Sequence, residues 1–454
     1  MNDTIAAIST PPGEGGVGII RISGEDSFRI AEKIFRPRKQ KNWLSQSYKM
    51  HYGHVVDPGS GSVIDEVLLS VMKAPHTYTR ENVVEINCHG GIVPLREAFR
   101  AVLAAGARLA DPGEFTKRAF INGRIDLTQA ESVIDIIRSK TEASLKVALS
   151  QLGGGLSDKI RKIQDRILVI LAELEVSIDF PEDDIDLKSK SEISVNAGEI
   201  IRDLDSLIES AGRGRIYREG IRTVIAGRPN VGKSSLLNVL LGRERAIVTE
   251  IPGTTRDVIE ETINIRGIPL VLADTAGLRE TNDLVEKIGV EKTREFMAGA
   301  DLVLFVVEAE EGITGEDRYL LEKLEGKKTI LIINKIDLGD KKETFEYGDI
   351  PPVEISALKG QGINSLEDRI EEVITGGGVS SPESIIISNA RHEEILVRAR
   401  NHLEEFLTSL EDDLPPDLLS IDVKDAFEAL GKITGSAVTE DLLDHIFSQF
   451  CIGK

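Results

Sequence analysis

Apolar residues recur along the first 118 residues in short runs that switch between a two-residue and a helical period. The two-residue runs predict strands, and the longer runs with a 3.6-residue period predict helices. Turns rich in glycine and proline interrupt these runs at residues 11–16 and 111–116. The predicted strands are residues 17–24, 63–72 and 82–88, and the predicted helices are residues 26–35 and 93–105. The pattern therefore predicts an α+β N-terminal domain over residues 1–118.

From residue 119 to residue 216 only the helical period continues. Six apolar residues at three- and four-residue steps predict the buried face of a long helix: Leu156, Ile160, Ile163, Ile167, Ile170 and Leu174. A second segment without strand patterns covers residues 377–454, after a break rich in glycine and serine. We expect the two segments to pack together as one all-α helical domain, and two unrelated bundles are the alternative.

Residues 217–376, between the helical segments, alternate between strand-like and helix-like runs, which is typical of a doubly wound α/β sheet. This domain begins with a strand pattern that leads into the motif G-x-x-x-x-G-K-S at residues 227–234 and then into a helix pattern. In such a P-loop, backbone N–H groups surround a phosphate, the lysine neutralises charge and the hydroxyl binds magnesium. The residues expected to bind nucleotide are Asn230, Val231, Gly232, Lys233, Ser234 and Ser235.

Further nucleotide motifs follow the P-loop in the order expected for an inserted, Ras-like P-loop GTPase domain. The segment 252–257 supplies a threonine for the magnesium shell, and Asp274 follows an apolar run, where it is placed to hold magnesium through water. Asp337 offers two acceptors that match the N–H groups of guanine, so the sequence predicts GTP as the nucleotide. The binding residues expected from these motifs are Pro252, Gly253, Thr254, Thr255, Asp274, Thr275, Ala276, Gly277, Asn334, Lys335, Asp337, Ser356, Ala357 and Leu358.

The residue that follows Gly277 is Leu278, where many signalling GTPases carry a glutamine that orients the attacking water. Because leucine has no hydrogen-bonding side chain, another group must orient the water. Glu286 is one candidate, and a solvated carboxylate at a helix start is its alternative interpretation. The Asn230 amide is a candidate ligand for a monovalent cation, and a plain turn residue is the alternative.

Length, charge and cysteine content limit the class of protein. A chain of 454 residues predicts two to four domains. The formal charge of −21 argues against broad binding of nucleic acid through a basic face, although it does not exclude a local basic site. Two cysteines give no disulfide framework and fit a reducing cytoplasm. We see no secretory signal and no run of about 18 apolar residues that predicts a membrane span.

Several motifs together closely resemble the MnmE (TrmE) family of tRNA-modification GTPases over the whole chain. They are residues 11–13, 15–24, 112–115, 227–235, 252–257 and 274–279 and the terminal Cys451-Ile452-Gly453-Lys454. The resemblance implies that the N-terminal domain dimerises and binds 5-formyl-tetrahydrofolate or a related one-carbon folate. It also implies an FAD-containing partner, MnmG, and a reaction at carbon 5 of the wobble uridine of certain tRNAs.

The resemblance further implies roles for individual residues. Potassium would be surrounded by Asn230, Thr249, Ile251 and Thr254, and magnesium would be bound by Ser234 and Thr255. Thr249, Glu250 and Ile251 would extend the GTP site, and Glu286 would be the catalytic carboxylate. The folate would be contacted by Arg21, Glu85, Arg124 and Lys454. Cys451 matches a cysteine connected with the tRNA chemistry, and a small buried hydrophobe is its alternative.

Two other functions stay open from the sequence. A ribosome-assembly GTPase that acts as a binding switch shares much of the same nucleotide motif pattern. Such proteins commonly carry a basic RNA-binding module, whereas this chain ends in an acidic helical segment. The N-terminal domain is alternatively a dimerisation scaffold that binds no folate.

Overall fold

The computed structural model describes most of the chain. The described residues are 3–38, 42–179, 190–244, 261–272, 299–324, 326–339, 351–377 and 387–454. They belong to two compact units. The first unit holds the chain up to Ile134 together with Glu428–Lys454, and the second holds the described residues from Asp135 to Phe427. The domain boundaries expected at residues 118, 216 and 376 stay a prediction.

The first unit contains a seven-stranded sheet. Its strands are β1 Ile5–Ile8, β2 Val17–Ser23, β3 Phe35–Pro37, β4 Lys49–Val56, β5 Val63–Met72, β6 Val83–His89 and β7 Arg108–Leu109. The spatial order is β3-β4-β5-β6-β2-β1-β7. Neighbouring strands are antiparallel except β1 and β7, which are parallel.

The described helices lie in both units. They are α1 Ser27–Ile34, α2 Ile92–Ala104, α3 Glu114–Ile121, α4 Leu127–Arg138, α5 Glu142–Leu152, α6 Gly155–Asp179, α7 Lys190–Glu219, α8 Lys233–Glu244, α9 Gly315–Glu322, α10 Ile363–Thr375, α11 Ala390–Glu411, α12 Pro416–Thr434 and α13 Glu440–Ser448, with a short 3-10 turn at Trp43–Ser45. In the first unit, α1 and α2 bury their apolar faces against one face of the sheet. Burial of this apolar surface is the main stabilising contribution to the unit.

The helical part of the second unit combines α5, α6 and α7 with α11. All six apolar residues predicted to form one helix face are buried in α6. The two helical segments contact each other, because Gln151 Nε2 donates to Ser388 Oγ at 3.1 Å and Gln164 Nε2 donates to the Phe427 carbonyl at 3.2 Å. Parts of the two predicted segments therefore pack together in the second unit, whereas residues 119–134 and 428–454 belong to the first unit.

A six-stranded sheet forms the α/β part of the second unit. Its strands are β8 Ile221–Ala226, β9 Glu261–Ile265, β10 Ile268–Leu272, β11 Leu302–Glu308, β12 Lys328–Asn334 and β13 Val353–Glu354, in the order β13-β12-β11-β8-β10-β9. All neighbours are parallel except β9 and β10. Apolar residues fill both faces, as expected for a parallel sheet covered by helices. The predicted doubly wound sheet is confirmed.

Several elements differ from the sequence prediction. The strands β1, β3, β4 and β7 were not predicted, because they are short or interrupted by small and exposed polar residues. Residues 111–116 were expected to break the pattern, but α3 begins within them at Glu114, after the left-handed Gly113 (φ 68°). The helix after the P-loop begins at Lys233, whereas the apolar run that starts at Leu236 predicts a later beginning. The sequence at residues 180–184, with a proline and three acidic residues, also predicts the end of the long helix, and this segment lies outside the described residues.

Candidate functional site

The P-loop lies at the carboxyl end of β8, between its neighbours β11 and β10. Loops at this edge of a parallel sheet, where the strand order changes direction, commonly bind ligands. The Lys233 ammonium donates to the carbonyls of Gly227 and Arg228, at 2.8 and 2.6 Å. Ser234 and Ser235 lie in the first turn of α8, whose N-terminus favours an anion.

Asn334, at the end of β12, connects three parts of the nucleotide site. Its buried amide donates from Nδ2 to the Val231 carbonyl at 2.8 Å and accepts at Oδ1 from the Ala357 N–H at 3.0 Å. Gly232 fits beside it only because it lacks a side chain, since a Cβ there would lie 2.1 Å from Asn334 Nδ2. One side chain therefore holds the phosphate loop and the segment 356–358 together.

Asp337, which the sequence predicts to recognise the base, follows the end of β12. The Ser356 hydroxyl hydrogen bond is the main cause that holds the pKa of Asp337 below its ordinary value, and the Lys359 ammonium adds to it. Lys359 Nζ lies 3.6 Å from Asp337 Oδ2. The carboxylate is consequently ionised at neutral pH, as an acceptor for the N–H groups of guanine must be. Lys335 is ion-paired to Glu308 of β11 at 2.9 Å, and Leu358 is exposed.

The other nucleotide-site predictions fall outside the described residues. They concern the predicted binding and catalytic residues Thr249, Glu250, Ile251, Pro252, Gly253, Thr254, Thr255, Asp274, Thr275, Ala276, Gly277 and Glu286, as well as Leu278. Their assigned roles stay predictions. The described part of the site carries the P-loop and the base-side motifs.

A second cluster lies in the first unit and contains the four residues predicted to contact folate. Arg21 of β2 faces its register partner Glu85 of β6, with Nε and Nη2 each 2.8 Å from Glu85 Oε1. Arg124 donates to the Tyr78 carbonyl at 3.2 Å, and its guanidinium stacks on the Tyr78 ring at 4.7 Å. Arg21 lies 5.7 Å from the centre of the same ring. Both guanidinium groups therefore lie close to the Tyr78 ring.

The C-terminal residues pack against the same cluster. The Gly453 carbonyl accepts from the Ser9 hydroxyl at 3.3 Å and from Arg21 Nη1 at 3.5 Å. Gly453 adopts φ 94°, and a Cβ there would lie 2.7 Å from the Ile8 carbonyl oxygen. Burial lowers the pKa of Lys454, and the positive charge of Arg21 lowers it further. The Lys454 ammonium thus adds a partly buried positive charge close to that of Arg21.

The two cysteines have different surroundings. Burial, with a smaller effect of the Asp65 carboxylate, raises the pKa of Cys88 to about 12. Cys451 is exposed, and its carbonyl accepts from the Gly113 N–H at 3.4 Å before α3. The alternative interpretation of Cys451 as a buried hydrophobe is therefore wrong.

Some residues of both clusters were not singled out from the sequence. In the first unit they are Tyr78 and Phe115, whose rings flank Arg21. In the second unit they are Arg228 and Asp317, which form an ion pair at the P-loop. The spacing Thr314-x-x-Asp317 fits a capping box and marks a helix start, but it does not indicate contact with a loop 89 residues earlier in the chain.

A P-loop followed by strand-end motifs for guanine, on this six-stranded sheet, defines a P-loop GTPase domain inserted in a helical domain. Comparisons with known proteins extend this assignment to the whole chain. Residues 127–451 match the family model of the MnmE helical domain, and residues 4–124 match that of the GTP-binding protein TrmE N-terminus. The tRNA modification GTPase MnmE of Desulforamulus reducens is 52% identical over 462 residues and that of Bacillus subtilis is 49% identical over 458 residues; each alignment covers 100% of both chains.

The chain belongs to the MnmE family of tRNA modification GTPases. It is accordingly a GTPase that binds and hydrolyses GTP in the modification of tRNA. The family assignment agrees with the fold, which has an N-terminal domain, a helical domain and an inserted α/β domain. Among the helices within the described ranges, none has the length and apolar character needed to cross a bilayer.

Proposed function

We propose that this GTPase is activated by potassium and works with the FAD-containing MnmG on carbon 5 of the wobble uridine of certain tRNAs. The one-carbon donor is 5-formyl-tetrahydrofolate or a related folate, bound in the N-terminal domain. The observation that carries the folate assignment is a group of three basic side chains in a chain of net charge −21. Arg21 is ion-paired to Glu85, and Arg124 lies over the ring of Tyr78, which is also close to Arg21. Lys454 is near enough to Arg21 and Glu85 for their charges to affect its pKa.

The chemistry of the cluster supports a folate. Carboxylates of a folate tail call for arginine or lysine. The Glu85 carboxylate can accept hydrogen bonds from a pterin edge. The partly exposed ring of Tyr78 lies beside Arg21 and Arg124 and offers apolar surface for an aromatic ligand. These features support a ligand site over a dimerisation scaffold, which has no need for grouped cations.

For the GTP cycle, we assign each metal ion to residues whose oxygen atoms can coordinate it. The Ser234 hydroxyl in the first turn of α8 fits magnesium together with Thr255, because magnesium prefers oxygen ligands. Asn230 is exposed and adopts the left-handed conformation (φ 65°), which leaves its amide available for potassium beside Thr249, Ile251 and Thr254. Bound cations supply charge stabilisation to the transferring phosphoryl group. Glu286 is assigned as the carboxylate that orients the attacking water.

The remaining assignments concern assembly and location. We propose a cytoplasmic homodimer formed through the N-terminal domain over residues 1–118, with the G domain over 217–376 inserted between helical segments 119–216 and 377–454. The G domains of the two copies meet across the nucleotide. MnmG joins the dimer in a heterotetramer or larger complex that acts on tRNA. The exposure of Cys451 supports a catalytic role of its thiol in the tRNA chemistry.

Replacing Arg21 with alanine is expected to weaken binding of 5-formyl-tetrahydrofolate by about 10- to 100-fold, because a charge-assisted hydrogen bond and a cation are lost. Isothermal titration of the full chain measures this change. Arg96→Ala is the matched control, since Arg96 pairs with Glu97 on the exposed surface of α2 and should leave the affinity unchanged. Equal affinities of the parent and Arg21→Ala proteins would contradict the folate assignment.

GTP hydrolysis is expected to be faster in potassium than in sodium by about tenfold or more, which is about 1.4 kcal/mol of transition-state stabilisation. Asn230→Ala should remove most of this difference, because it deletes the amide oxygen. The control is Asn364→Ala on the exposed side of α10. Equal turnover in the two salts would contradict potassium activation.

The tRNA function needs a separate measurement. Mass spectrometry of wobble uridines from cells that lack this chain should show loss of the carbon-5 modification. Intact wobble uridines, together with cosedimentation of the protein with ribosomal subunits, would instead favour a ribosome-assembly GTPase.

A further inference from the structure

The side chain of Arg228 connects the P-loop to the helix that follows β11. Its Nε lies 3.0 Å from both carboxylate oxygens of Asp317, and its Nη1 donates to Glu311 at 2.8 Å. Asp317 lies in the first turn of α9, and Glu311 lies in the loop before that helix. The guanidinium of Arg228 thus links the loop after β8 to the loop after β11, and these two strands are parallel neighbours.

Asp317 is itself held in place. Its side chain is fully buried, and Oδ2 accepts from the N–H and the hydroxyl of Thr314 at 2.9 and 2.7 Å. This reciprocal capping box fixes the carboxylate relative to the axis of α9. Arg228 therefore has a rigid, buried acceptor in Asp317 in addition to the exposed carboxylate of Glu311.

The main chain at the start of the P-loop is also tightly packed. Gly227 lies against β11, where a Cβ would come 2.3 Å from the Val306 carbonyl oxygen. The carbonyls of Gly227 and Arg228 accept hydrogen bonds from the Lys233 ammonium. Both of these acceptors belong to residues that are held in place, Gly227 by close packing and Arg228 by its side chain.

A contribution to fold stability does not explain why this ion pair is present. Desolvation makes a largely buried ion pair a weak source of stability unless every donor is satisfied. The Arg228 side chain is 16% exposed, and its Nη2 is buried with no hydrogen-bond partner among the described residues. The arrangement fixes the loop geometry at the expense of one unsatisfied donor.

We propose that Arg228 is a positioning residue for GTP, anchored by Asp317 and Glu311 so that its carbonyl orients the Lys233 ammonium toward the phosphates. A loop that is ordered before binding avoids the entropy cost of ordering it around the ligand. Arg228 itself need not touch the nucleotide. Its removal should therefore reduce affinity for phosphates while leaving the chemical step nearly intact.

The test compares steady-state GTP hydrolysis and GDP affinity in full-length variants. Arg228→Gln is expected to raise KM for GTP and Kd for GDP by about tenfold, with kcat changed by less than about twofold. Arg228→Lys should recover part of the affinity, because it keeps one charge contact with Asp317. Glu311→Gln, which removes only the exposed partner, should raise Kd by about threefold and serves if Arg228→Gln does not fold.

A double-mutant cycle and a matched control complete the experiment. If the ion pair positions the loop, the double variant Arg228→Gln/Asp317→Asn should raise Kd for GDP little more than the single substitution with the larger effect. Arg369→Gln removes an arginine–glutamate pair on α10 and should leave KM and Kd unchanged. An unchanged KM in folded Arg228→Gln and Glu311→Gln proteins, or fully additive effects in the cycle, would overturn the proposal.

Discussion

Gly232→Ala is expected to weaken GTP binding by about a hundredfold. The added Cβ would lie 2.1 Å from Asn334 Nδ2, and Gly232 adopts φ 98°, which side chains rarely tolerate. Overpacking and the strained backbone together are expected to reduce the free energy of GTP binding by about 3 kcal/mol. The reason is that the added Cβ collides with the Asn334 amide, which holds Val231 and Ala357 in place. Titration with a fluorescent GTP analogue measures the loss.

Gly242→Ala is the matched control for this change. Gly242 lies in α8, fifteen residues beyond the start of the P-loop at Gly227, and a Cβ there would meet nothing within 4 Å. Alanine in a helix interior should stabilise the protein slightly and leave nucleotide affinity unchanged. A folded Gly232→Ala protein that binds GTP as well as the Gly242→Ala protein would refute the assigned role of Asn334.

Arg118→Met is expected to destabilise the first unit by about 3–5 kcal/mol at pH 7. The Arg118 side chain is 1% exposed and lies 2.7 Å from Asp3, 2.9 Å from Glu114 and 3.1 Å from Glu81. Methionine fills similar space but leaves these carboxylates without their shared buried cation. Urea unfolding followed by the fluorescence of Trp43, the single tryptophan and part of the first core, reports on this unit.

The destabilisation should shrink as the pH falls. Burial alone raises the pKa of Asp3 and of Glu114, but hydrogen bonds from Arg108 and Arg118 outweigh it, so both pKa values lie below their ordinary values of 3.8 and 4.5. Carboxylates with lowered pKa values stabilise the folded state above the ordinary values and lose this contribution as the pH falls through the lowered ones. The parent protein should therefore lose its advantage over Arg118→Met at acid pH.

Arg100→Met is the control for the buried network. Arg100 is 65% exposed and pairs with Glu97 on the surface of α2, so its removal should change stability by less than about 0.5 kcal/mol. A loss in Arg118→Met no larger than in this control, or one that is independent of pH, would contradict the buried charge network as a determinant of stability.

The fold could be predicted from the sequence where a regular pattern of apolar residues extends over many positions. The six-residue apolar face of α6 and the alternation around the P-loop were sufficient to predict a helical domain and a doubly wound sheet, because both signals are local in sequence. Short strands such as β1 and β7 escaped prediction. Their pairing is set by distant partners, and four residues or fewer carry too little periodicity.

The sequence by itself determined the class of the nucleotide site, since the P-loop and the Asp337 motif are contiguous residues whose order and spacing are typical of guanine-nucleotide binding. The tertiary structure alone decided which distant residues support that chemistry. Arg228 meets Asp317 because parallel strands bring their carboxyl ends to one edge of the sheet. Likewise, Arg21 meets the C-terminal tail because Gly453 can pack closely against β1. Such contacts join residues far apart in the chain, and no local pattern encodes them.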